Sequence, residues 1–96
     1  MPTAPLPWAP HVLVVDDSRY FADSLARHLG AWGFQPLVAN DGPTAVETAL
    51  TQAPDAVLMD IRLAGLDGYE VARRLRRQPG MEKALLVAVT ALGKAL

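Results

Sequence analysis

Continuous apolar runs punctuate this chain, and stretches of helical period lie between them. HVLVV, residues 11–15, is apolar at nearly every position, the pattern of a strand covered on both faces in a parallel sheet, and LLVAV, residues 85–89, is a further strand, apolar throughout. AVLMD, residues 56–60, is similar but ends in a carboxylate. FQPLVAN, residues 34–40, supplies a further strand over 35–39, and Pro36 predicts an edge position, where a missing N–H does little harm. Ser18 is placed to cap a helix over 18–31 whose apolar positions Phe21, Leu25, Leu29 and Trp32 recur at spacings of four, four and three, with Gly30 and Gly33 closing it. Asp41, Gly42 and Pro43 start a helix over 43–52 with an inward face of Ala45, Val46, Ala49 and Leu50, which ends before Pro54. Asp67, read as a turn and cap residue, and Gly68 open a third helix over 68–77, with Val71, Ala72 and Leu75 inward and Arg73, Arg74, Arg76 and Arg77 mostly on a solvated face. This strict alternation predicts an α/β fold: a parallel sheet with right-handed crossovers and helices on both faces.

Composition narrows the classes. Residues 1–10, MPTAPLPWAP, hold four of the eight prolines and are expected to form a disordered tail ahead of one domain over 11–96. Ninety-six residues suffice for one core and not for two. A formal net charge of -1 without interleaved basic and aromatic residues argues against direct nucleic-acid binding. The absence of cysteine excludes disulfides, thiolate catalysis and Cys-ligated zinc. No apolar run approaches the roughly 20 residues of a membrane span, and the N-terminus lacks the pattern of a signal peptide, so the expected location is the cytoplasm.

The chemistry gathers at strand ends. Asp16 and Asp17 follow the first strand, Asp60 ends the third and Thr90 follows the fourth. In open α/β sheets that edge holds the ligand, at the point where strand order reverses. If the first and third strands are neighbours, the three carboxylates converge, and unit charges about 4 Å apart repel by about 4 kcal/mol at an effective dielectric of 20. Such a cluster calls for a cation, and hard oxygen donors suit Mg²⁺. One oxygen of Asp60 would then be free to attack a phosphoryl group, with Thr90 in position to hydrogen-bond a phosphoryl oxygen. His11 and His28 have no partners at ligand spacing and receive no role.

HVLVVDDS, VLMDIRLAGLDGYEVARRLR and LLVAVTAL together resemble the receiver domain of two-component response regulators, over residues 11–95. The resemblance implies a flavodoxin-like, doubly wound parallel sheet, here of order 2-1-3-4. It further implies phosphoryl transfer to Asp60 from a sensor histidine kinase or phosphotransfer protein, and Mg²⁺ held by Asp17, Asp60 and the backbone carbonyl of Arg62. Asp16 is implied to act through metal-bound water, Thr90 to serve as a switch hydroxyl, and Arg62 and Leu92 to tune the lifetime of the phosphoryl group by shaping water access.

The chain also departs from that family's pattern. Ala64 stands where the family usually has proline, and no strand-end lysine, fifth strand or last helices follow; Lys94, four residues past Thr90, does not replace that lysine. The fourth strand is therefore expected to be an exposed edge through which the chain self-associates. An alternative reading is a degenerate receiver that binds protein, or is a non-functional fragment, without phosphotransfer. An aspartate-nucleophile phosphatase fits less well because no spaced acid motif opens after the first strand, and a dinucleotide site because DDSR stands in place of a glycine-rich turn.

Overall fold

The computed structural model describes residues 7–61 and 68–89. Four strands, β1 (His11–Val15), β2 (Gln35–Ala39), β3 (Ala56–Asp60) and β4 (Leu85–Val89), alternate with three helices, α1 (Arg19–Ala31), α2 (Gly42–Gln52) and α3 (Gly68–Arg77). All pairings are parallel and the sheet order is β2-β1-β3-β4, as expected, so strand order reverses between β1 and β3. β2 is an edge strand, in keeping with Pro36.

Two apolar layers flank the sheet. Leu13, Val15, Val57 and Met59 face one way and pack with Ala45 and Ala49 of α2, Val71 and Leu75 of α3, and Met81. Val12 and Val14 face the other way and pack with Ala22 and Leu29 of α1. Period-two alternation along each strand divides the side chains, so both faces of β1 are buried.

The inward faces of α1 and α2 differ from the sequence reading. In α1, Ala22 and Leu29 are buried with Leu25 beside them, while Phe21 is 43% and Trp32 63% exposed. Ala22 wins the central position because a small side chain lets the helix axis come close to the sheet, which a phenylalanine there would prevent. In α2, Leu50 is 56% exposed and Ala45 and Ala49 carry the contact.

Local chemistry sets the helix ends. Ser18 caps α1, its hydroxyl accepting from Phe21 N at 3.3 Å, and Asp41 caps α2, its carboxylate accepting from Thr44 N at 2.7 Å. Ala53 closes α2 in the left-handed region, at φ 43° and ψ 63°, a conformation usually taken by glycine. Its neighbour Pro54 has no N–H and bars Ala53 from continuing the helix.

Two residues ahead of β1 contact β2. Ala9 is buried and its carbonyl accepts from Gln35 Nε2 at 3.1 Å, while Pro10 O accepts from Gln35 N at 2.9 Å. These contacts tie the end of the proline-rich stretch to β2. β4 is exposed along most of its length, with Leu85 at 62% and Val87 and Val89 at 37%. Among the described residues, no helix is long and apolar enough to cross a membrane.

Candidate functional site

The reversal of strand order places the C-terminal ends of β1 and β3 side by side, with Val15 opposite Met59 in register. Each chain then emerges as a carboxylate. Asp16, Asp17 and Asp60 each offer a carboxylate oxygen, and these oxygens all lie within 4.8 Å of one another. Asp60 is 3% and Asp16 9% exposed, whereas Asp17 faces solvent. The convergence expected from the sequence is therefore present.

Asp16 is held from two neighbouring segments. Its N–H donates to Ala39 O at 3.1 Å, its carbonyl accepts from Asn40 Nδ2 at 2.9 Å, and its Oδ1 accepts from Ser18 N at 2.9 Å. The end of β2 and the start of α1 thus fix the backbone and one carboxylate oxygen of the acid pair. Asn40 and the Ser18 amide were not singled out in the sequence. Asn40 had a signal available, as an amide side chain ending an edge strand just before the Asp41 turn, but nothing in the spacing says that it reaches across to β1.

Asp60 has a different kind of support. It lies opposite Val89 in the ladder with β4, so its backbone belongs to the sheet. The residue after it, Ile61, meets the first residue of α3: Gly68 N donates to Ile61 O at 3.1 Å. Thr90, Arg62, Leu92, Ala64, Asp67 and Lys94, to which the sequence assigned or denied roles, lie outside the described residues.

Two buried carboxylates and a third at this separation repel by roughly 3–4 kcal/mol per ionised pair at an effective dielectric near 20. A hard divalent cation relieves that repulsion. The donor set is all oxygen, small, and open to water through Asp17, which fits an ion such as Mg²⁺ that takes a few carboxylates and keeps part of its hydration shell. It would not suit a soft metal, as it has neither sulfur nor imidazole.

The model for the response regulator receiver domain matches residues 12–95. The response regulator PleD of Caulobacter vibrioides is 37% identical over 81 residues, covering 84% of this chain and 18% of PleD. The response regulator MprA of Mycobacterium leprae is 43% identical over 65 residues, covering 68% of this chain and 28% of MprA. The chain thus spans less than a third of the length of these curated relatives. Among solved structures, the receiver domain of the sensor histidine kinase PA1611 of Pseudomonas aeruginosa matches with a TM-score of 0.80 at 33% identity, covering 88% of this chain and 70% of that one. That structure has a magnesium ion coordinated in its active-site cleft. A CheY-like receiver domain from Methylobacillus flagellatus matches with a TM-score of 0.82 at 27% identity, covering 92% of this chain and 75% of that one.

Proposed function

We propose that this chain, which belongs to the family of response regulator receiver domains, takes a phosphoryl group onto Asp60 from the phosphohistidine of a sensor kinase or phosphotransfer protein in the cytoplasm. The observation that carries this reading is a 3% exposed Asp60 carboxylate within 4.8 Å of two further acids at the reversal point of a parallel sheet. One Asp60 oxygen forms the new P–O bond as the P–N bond of the donor breaks. The electron pair of that bond stays on the imidazole nitrogen, which takes a proton from solvent.

Asp16, Asp17 and Asp60 would hold Mg²⁺, with the carbonyl of Arg62 assigned as a further ligand by family membership. When bound, the ion offsets the negative charge gathered by the transferring oxygens. Asp60 itself supplies the nucleophile, and its burial keeps bulk water from competing for the phosphorus. Ser18 N and Asn40 hold Asp16 in one orientation, so that its carboxylate would face the ion or the water bound to it. The reading gives Thr90, the residue after β4, the switch hydroxyl. Receiver domains are signalling domains, and the chemistry here is transfer to the chain itself.

Acetyl phosphate with Mg²⁺ tests the acceptor. The expected result is acid-labile phosphate on the wild-type chain and none on Asp60→Asn, with Asp17→Ala losing both Mg²⁺ binding and phosphorylation. Equal labelling of wild type and Asp60→Asn would overturn the assignment. The exposed Leu85, Val87 and Val89 favour the second reading, a protein-binding module without phosphotransfer, for which Mg²⁺ would leave the chain unaffected.

A further inference from the structure

Gly68 is a buried glycine without a positive φ, so backbone freedom does not explain it. Space does. A β-carbon built on Gly68 would stand 2.4 Å from Ile61 Cα, 2.6 Å from its carbonyl oxygen and 2.8 Å from its carbonyl carbon. These are backbone atoms, so no rotamer change relieves the clash. Ile61 directly follows Asp60, and Gly68 N donates to Ile61 O at 3.1 Å.

We infer that Gly68 is a positioning residue for the acid site: its bare Cα lets α3 dock on the backbone next to Asp60, and that contact sets where the Asp60 carboxylate stands relative to Asp16 and Asp17. This inference rests on the reading of the acid cluster as a divalent-cation site.

A side chain at position 68 must displace one of two bodies. Deeper in α3, Val71 and Leu75 are fully buried against the strands, which resists retreat of the helix. Ile61 lies one residue past the last ladder pair, Asp60 with Val89, and has less to hold it. Displacement therefore falls on Ile61 and through it on Asp60. Mg²⁺ and ions of its size bind oxygens at about 2 Å with little tolerance, so a shift of even half that size weakens binding. The competing outcome is that the first turn of α3 yields into the apolar cavity of about 150 Å³ beside it, lined by Met59, Ile61, Tyr69 and Ala72 among others.

Titration of the full chain with Mn²⁺, followed through the electron paramagnetic resonance signal of the free ion, separates these outcomes. Gly68→Ala is expected to weaken Mn²⁺ binding roughly tenfold, the scale seen when support of a metal ligand is lost. Arg74→Gly, which loosens the same helix from its solvent-exposed face, is expected to lower the melting temperature and leave the affinity unchanged. An unchanged affinity in Gly68→Ala overturns the inference and leaves the cation site standing. A wild-type chain that binds no Mn²⁺ overturns both. Should Gly68→Ala not fold, amide exchange in the wild-type chain decides: by reciprocity, saturating Mg²⁺ slows exchange at Gly68 N–H more than at Leu75 N–H. Equal slowing at the two amides would count against the positioning role.

Discussion

A single carboxylate can be read quantitatively through its hydrogen bonds, and Asp41 illustrates how. Its oxygen accepts from the Thr44 backbone N–H, with the Thr44 side chain adding to the effect, and together they hold its pKa below the ordinary value of 3.8. A lowered folded-state pKa means that the ionised cap stabilises α2 at neutral pH. That contribution is complete above the unfolded-state pKa and disappears as pH falls through the folded one. Asn caps equally well but does not titrate. The melting temperature of wild type relative to Asp41→Asn should therefore be constant above about pH 5 and decline progressively below it. A difference that stays flat down to the acid transition would show that the cap bond survives protonation. Glu70 is lowered as well, chiefly by its hydrogen bond to Arg73, but this pair is exposed and adds little to stability.

The arginine-rich face of α3 shows how far element-scale reading reaches. Arg73 and Arg74 do lie in solvent and pair with Glu70, as a solvated helix face would. Arg76 does something that helical spacing does not reveal. Its Nη1 donates to the carbonyls of Met81, Glu82 and Ala84 at 2.9, 3.2 and 2.8 Å. The guanidinium thus gathers the turn that seats the fully buried Met81 and leads into β4. Arg76→Ala is expected to cost about 1–3 kcal/mol in urea unfolding with an unchanged slope, and Arg76→Lys to recover part of it. The central strands β1 and β3 were legible because burial on two faces leaves an uninterrupted apolar signature, and the acids were legible because they interrupt it. Contacts such as Arg76 with Ala84 O, or Gly68 with Ile61, join side chain or Cα to distant backbone, and backbone leaves no mark in residue type. The exposed Phe21 and Trp32 misled for a related reason: apolar spacing records which faces are available, while helix-to-sheet distance decides that Ala22 fills the centre.

At the scale of the molecule, one side of the sheet carries α2 and α3 and the other carries α1. The acid cluster sits at the rim between these layers, on the ends of β1 and β3, so its geometry depends on both layers holding the same two strands. The two sets of buried side chains share no members, since successive residues of each strand point to opposite faces. Among the described residues, the sheet backbone is what they have in common. In energetic terms the two layers are then independent accounts of the same fold. Leu29→Ala removes contacts under α1 and Leu75→Ala removes contacts under α3, each at about 2–5 kcal/mol. Milder replacements, Leu29→Val and Leu75→Val, keep the double variant folded and make the comparison measurable. Their losses should sum to within about 0.5 kcal/mol, whereas Val71→Ala with Leu75→Val, neighbours in one layer, should show a coupling energy above that level. A double-mutant cycle across the sheet thus reports whether strain on one face is felt on the other, and additivity there would mean that each face can change its packing partners without retuning its opposite.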